Sequence, residues 1–137
     1  MPKKGPREWS PRGQIPGQPI WPKFVDSYLE AALWSSMGED EKPLDDKYNE
    51  EDWSQEAIDQ AVEESNAFIK ENLKDLEAVG TQSQHGHDFW LTRNGHGAGF
   101  WDRGYGARGK RLAAAARAYG YLHPYVGVGD KIFFEGG

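Results

Sequence analysis

The apolar stripe between Ala57 and Leu76 constrains this chain more than any other feature of its sequence. Ala57, Ile58, Ala61, Val62, Ser65, Phe68, Ile69, Asn72, Leu73 and Leu76 recur at steps of three and four, the period that gathers residues on one face of an α-helix. Asp52 and Ser54 are both suited to cap the start, because a short oxygen-bearing side chain accepts from the first free amides. Glu50, Glu51 and Glu56 stand near the positive end of the helix dipole, and Gly80 is placed to stop the helix. An amphipathic helix of this length needs a partner to cover its stripe, so the chain must build a core around it.

The remaining elements follow from period and punctuation. Phe24, Val25, Tyr28, Leu29, Ala32 and Leu33 predict an earlier helix from about Phe24 to Ser36, ending near Gly38. An acidic loop broken by Pro43 joins the two helices. Beyond Gly80 the period drops to two in "HGHDFWLTRNGHGAGFWDRGYG", residues His85 to Gly106. Asp88–Arg93 reads as a strand with Phe89 and Leu91 on one face and Trp90 and Thr92 on the other; Ala98–Arg103 reads as its return. Asn94-Gly95 is the turn between them, since both residues tolerate positive φ. A third helix through "RGKRLAAAARAYG" turns Leu112, Ala115, Ala116 and Tyr119 inward. A closing hairpin pairs Tyr125–Val128 with Lys131–Glu135 around Gly129-Asp130. The expected fold class is α+β: two N-terminal helices followed by a β-β-α-β-β unit, with a small antiparallel sheet packed on helices. The expected organisation is an arm over residues 1–22 and a single α+β domain over 23–137.

The arm carries six of the chain's eight prolines and three glycines, which excludes a regular helix or central strand there. Charge divides the chain further: residues 1–23 carry +4, residues 24–79 carry −13 and residues 80–137 carry +3. The acidic middle is a solvated helical face, or a surface that meets a basic partner or imitates nucleic acid. With no cysteine among its 137 residues, the chain has neither disulfides nor thiolate chemistry. No apolar run approaches the roughly 20 residues of a membrane span, and the N-terminus lacks the apolar stretch of a secretory signal. The expectation is a soluble, cytoplasmic protein that does not enter a membrane.

Three of the four histidines fall in the central segment, so its chemistry needs weighing. His85, His87, Asp88 and His96 are all capable metal ligands, and His85-x-His87 on a strand would share one face. Yet no zinc-like spacing is present. Small ββα-metal nucleases place a catalytic His on a hairpin, an Asn in its loop and a metal ligand on the next helix. His87, Asn94 and the helix after Gly106 evoke that outline, but this helix offers no His, Asn or Asp. His87 with Asp102, or His96 with Asp88, would make acid–base pairs across the hairpin, though the same charges serve equally for cross-strand pairing. Nothing forms a nucleophile elbow or a phosphate-binding glycine loop, so the chain is poorly equipped as an enzyme. For nucleic-acid binding, Arg108, Lys110, Arg111 and Arg117 on the third helix are the candidates, backed by Lys3, Lys4, Arg7 and Arg12. The rings of Trp90, Phe100, Trp101, Tyr105 and Tyr125 are read mainly as core.

The run from Gly86 to Arg103, GHDFWLTRNGHGAGFWDR, resembles a signature of small proteins carried by bacteriophages and plasmids. The likeness extends to "YLEAALWSS", "PLDDKYNEEDWS" and "YGYLHPYVGVGDKIFF", nearly everything after Pro22. It implies an accessory protein working inside an infected or plasmid-bearing bacterium, and it implies no particular activity or catalytic residue. The expected function is therefore non-enzymatic binding of a host or defence macromolecule, a protein in the first place and nucleic acid in the second, without a cofactor. The binding surface expected is the Asn94–Gly97 turn, including His96, with His87, Arg93, Asp102 and Arg103; the acidic helices are a separate candidate. The alternative is a nucleic-acid-binding protein or small metal-dependent nuclease using His85, His87, Asp88, Asn94 and His96.

Overall fold

The computed structural model describes residues 18–96 and 98–136. The basic residues of the arm and Trp9 therefore lie outside the described residues, as does Gly97 of the expected turn. The described part is α+β: helices α1 (Pro22–Ser35), α2 (Gln55–Glu71), α3 (Leu73–Ala78), α4 (Gln82–Arg93) and α5 (Ala107–Arg117), then strands β1 (Leu122–Val126) and β2 (Ile132–Gly136). Among the described residues the sheet has these two strands alone.

The long helix forms where its stripe demands. Ser54 caps α2, its Oγ accepting from the Ala57 amide at 3.1 Å. Ala57, Ile58, Ala61, Val62, Ser65, Phe68 and Ile69 are buried along it. The expected continuity to Gly80 fails at Asn72, whose φ of −125° and ψ of 21° leave the helical region. Its side-chain amide donates to the Phe68 carbonyl at 2.9 Å, and this local bond lets an asparagine end one helix and open the next. The break swings Leu73 outward, 41% exposed, while Leu76 on α3 stays buried.

The expected strand Asp88–Arg93 is instead the second half of α4. Burial explains the error. His85, Gly86 and every residue from Asp88 to Arg93 are buried, so this helix shows no polar stripe and its pattern resembles a strand covered on both faces. Asn94-Gly95 is likewise a helix end. Gly95 has φ 73°, its amide donates to the Thr92 carbonyl and the His96 amide donates to the Leu91 carbonyl, at 3.1 and 3.0 Å. That pair of bonds is a Schellman motif, and it asks for the same left-handed glycine that a hairpin turn asks for. The expected return strand Ala98–Arg103 is a loop ending in a single 3-10 turn, Phe100–Asp102. The β-β-α-β-β layout thus reduces to one closing hairpin, with pairing from Leu122↔Gly136 to Val126↔Ile132.

α1 and α4 form the most extensive helix pair. Their backbones meet at Gly86, where a Cβ would collide with the Phe24 carbonyl oxygen. The core that α1 and α4 share with α2 is a chain of rings: Phe68 of α2 stacks on Phe89 at 4.2 Å, Phe89 touches Phe24 at 5.9 Å, and Tyr28 meets Trp90 edge-on at 5.3 Å. Offset and edge contacts of this kind add to the area that each ring buries. The hairpin docks through Phe134, which lies 4.9 Å from Trp53 and 5.6 Å from Trp90. The last residues of the expected arm are anchored to α2, since Asn66 donates to the Gln18 carbonyl and accepts from the Ile20 amide, both at 2.9 Å.

Candidate functional site

The sequence candidates converge on α4 and the loop leading to α5, but most are occupied with holding the fold. Arg93 is 3% exposed. Its guanidinium donates to the Tyr28 hydroxyl and Glu64 Oε1, each at 2.9 Å, and to the carbonyls of Gly120 and Tyr119 at 2.9 and 3.0 Å. It also lies 5.7 Å from the ring centroids of Phe89 and Tyr119. Burial alone would lower its pKa, but the contacts with Tyr28 and Glu64 outweigh this and hold the cation firmly. Burial drives the Tyr28 and Tyr119 hydroxyls well above the usual tyrosine range. A planar fork with several donors suits this site in a way that a lysine does not. Arg93 is a structural cross-brace between α4, α1, α2 and the chain after α5, and its expected place on a binding face is corrected accordingly.

Asn94 is equally engaged. Its side-chain amide donates to the Trp90 carbonyl at 3.0 Å and its oxygen accepts from the Leu122 amide at 2.9 Å, so it ties the end of α4 to the start of β1.

The metal set does not assemble. On a helix, residues two apart point to nearly opposite sides, so His85 and His87 lose the shared face that a strand would have given them. His85 is 1% exposed, and its Nε2 donates to the carbonyls of Leu76 and Val79 at 2.9 and 2.6 Å. That leaves Nδ1 as the nitrogen with a lone pair, and Nδ1 is buried without a hydrogen-bond partner among the described residues. Asp88 is fully buried and receives Arg103 Nε at 3.0 Å and Nη2 at 2.8 Å. His96 is exposed. Among the described residues no three His, Asp or Glu side chains gather as a metal site would need. The acid–base pairs across a hairpin go the same way, because Asp88 serves Arg103 and Asp102 Oδ1 accepts from the Gly99 amide at 3.2 Å.

What remains accessible is a face on the outer side of α4. His87 is a third exposed, and its ring stacks on Trp34 of α1 with centroids 5.4 Å apart. Its Nδ1 stands 3.5 Å from Asp88 Oδ1. Arg103 spends one edge on Asp88 and keeps 31% of its side chain exposed, and that bidentate bond holds its pKa above the ordinary arginine value. Two residues before it in sequence, Trp101 is 53% exposed, against the expectation that its ring fills the core. Trp34 was not among the candidates. Its signal was available: it falls off the buried stripe of α1, where a large aromatic has no structural reason to be.

On α5, Arg111 donates to both oxygens of Asp75 at 2.9 and 2.7 Å, and Arg108 lies 3.9 Å from the same carboxylate. The Arg111 hydrogen bonds hold the Asp75 carboxyl below its ordinary range. Lys110 and Arg117 are exposed. Half of the expected basic patch thus braces α5 against α3. No family model, curated protein or solved structure matches the chain. No helix among the described residues is long and apolar enough to cross a membrane.

Proposed function

We propose that this chain is a non-enzymatic binding protein of the phage or plasmid accessory type, acting in the cytoplasm of a bacterium on a host or defence protein. The observation that carries the reading is the division of labour within the central segment. Of the groups best suited to chemistry, Asp88 and Arg93 are engaged by internal contacts and His85 is sealed in the core, its Nε2 donating to backbone carbonyls. The accessible groups are aromatic and hydrogen-bonding: Trp34 with His87, then Trp101 and Arg103. Exposed tryptophan and arginine side chains on a rigid support are the residue types that dominate protein–protein hot spots. Rigidity comes from the buried Asp88, which fixes the guanidinium that shares its surface.

The test is affinity capture from lysate of phage-infected host cells, comparing the wild-type chain with the double variant His87→Ala, Trp101→Ala. Both positions lie outside the buried core, so the variant should fold. A partner protein recovered by wild type and lost from the folded variant is the expected outcome. Equal recovery by both would remove this face from the reading. Retention of short duplex DNA in place of protein would favour the exposed cations of α5 instead.

A further inference from the structure

A second surface lies away from α4, between the acidic loop and the closing hairpin. There a groove of roughly 560 Å³ runs between Met37, Pro43 and Leu44 on one wall and His123, Pro124, Tyr125 and Val126 on the other. The loop wall is stiff: Met37 bridges Pro43, Gly38 N–H donates to the Lys42 carbonyl at 2.9 Å, and Leu44 N–H donates to the Ser36 carbonyl at 2.9 Å. The other wall is one edge of a two-stranded sheet.

The direction of that edge follows from the hydrogen-bond parity of the hairpin. In an antiparallel pair, bonded and non-bonded positions alternate. Gly127 N–H donates to the Lys131 carbonyl at 2.8 Å, so Tyr125 and His123 face β2 with their amides and carbonyls. Leu122, Pro124 and Val126 then turn theirs away from β2. The Leu122 amide donates to Asn94 Oδ1 at 2.9 Å, as this parity requires. Pro124 has no N–H to satisfy. The opposite edge of the sheet is already covered, with Ser54 N–H donating to the Ile132 carbonyl at 2.8 Å. The groove therefore opens on the backbone of Pro124 and Val126, at the part of β1 that α4 does not cap.

Met37, Tyr125 and Val126 leave 58%, 40% and 39% of their surface exposed around this edge. Glu39, Asp40 and Asp46 line the groove against Lys42 and Lys47, and from Glu39 to Glu56 the chain around it has nine acidic residues against those same two lysines. An unpaired strand edge beside an apolar trough is the arrangement by which a sheet takes up an extended peptide. The acidic wall selects the sign of that peptide's charge.

We propose that this groove binds an extended segment of a partner protein in which basic residues alternate with apolar ones, its backbone pairing with the outer edge of β1 at Val126. Val126 exchanges both its N–H and its C=O with the segment. Pro124 offers a carbonyl alone, which sets the register of the added strand. This site is separate from the α4 face and stands whether or not that face binds.

The experiment titrates the full chain with a short fluorescein-labelled peptide of alternating lysine and valine. A glutamate–valine counterpart and a version N-methylated on alternate amides are run beside it. Saturable binding of the lysine peptide, weakened about tenfold or more by N-methylation and by the charge reversal, is the expected result. Val126→Pro removes the outward amide without breaking a bond within the sheet, as proline already does at Pro124. Its near-UV circular dichroism should match wild type and its affinity should fall by a similar factor. If that variant does not fold, the N-methylated peptide decides the question on the wild-type chain. No saturable binding, equal binding of the N-methylated peptide, or full affinity in folded Val126→Pro would overturn the proposal. So would a dimer of the chain alone in sedimentation that Val126→Pro dissolves, since it would assign the edge to a second copy.

Discussion

Asp88 and Arg103 are joined by two parallel hydrogen bonds, and the carboxylate is fully buried while the guanidinium reaches solvent. This pair clamps the loop after α4 back onto the helix. A double-mutant cycle with Asp88→Asn and Arg103→Met should give a coupling of about 1–2 kcal/mol, within the range of contacting charged pairs that keep one partner at the surface. Amide exchange in the 99–106 loop should rise in both single variants. Additive stability changes would mean that the loop is held by its other contacts, the buried Phe100 ring, the Phe100 amide on Thr92 Oγ1 and the Tyr105 hydroxyl on Gln84.

Arg93→Met should be among the most damaging single substitutions in the chain. It leaves the Tyr28 hydroxyl and two carbonyls without their donor, and Glu64 with the Gln60 side-chain amide at 3.4 Å. Because Glu64 keeps some contact with water, the expected loss is about 3 kcal/mol, the low end for breaking a buried pair. Arg93→Lys should not restore it, since one ammonium cannot reach all four acceptors. Urea unfolding of the two variants checks both statements.

Gly86→Ala places a methyl group against the Phe24 carbonyl oxygen at the crossing of α1 and α4. Overpacking at a backbone contact should cost about 3 kcal/mol. Gly104 is the control, because it has φ 77° with nothing within 4 Å of an added Cβ. Its alanine variant should cost only the conformational term of about 1 kcal/mol. The reverse ranking in thermal melts would place the tight helix contact elsewhere.

Stability should fall in alkali. Burial raises the hydroxyl pKa values of Tyr28 and Tyr119, for Tyr28 against the opposing pull of Arg93 and for Tyr119 with the help of its hydrogen bond to Glu71. The unfolded chain releases these protons near pH 10.0, the ordinary tyrosine value, whereas the folded chain keeps them. Above that pH the unfolded state binds fewer protons, so unfolding free energy declines as pH rises. The contribution is fully present below the unfolded value and is lost towards the folded one. Urea titrations between pH 9 and 11, read against Tyr28→Phe, should show a shallower decline in the variant. A flat profile in the wild type would contradict the burial of these hydroxyls.

Local pattern by itself determined α1, the start and buried stripe of α2, α5 and the closing hairpin to within a few residues, but not the break at Asn72. In each, one face meets the core and the other meets water, so period survives in the residue order. Ser54 as a cap and the α+β class were legible for the same reason. Tertiary structure alone decided α4. Its eight buried positions erase the polar stripe, and Asn94-Gly95 serves a helix end as readily as a hairpin turn, because both need a left-handed residue. The candidate site divided along the same line. His87, Asp102 and Arg103 were nameable from the sequence, and so were Asp88 and Arg93. Which of them would be consumed inside depended on partners distant in the chain, such as Tyr28, Glu64 and Gly120, and no local period encodes such a meeting.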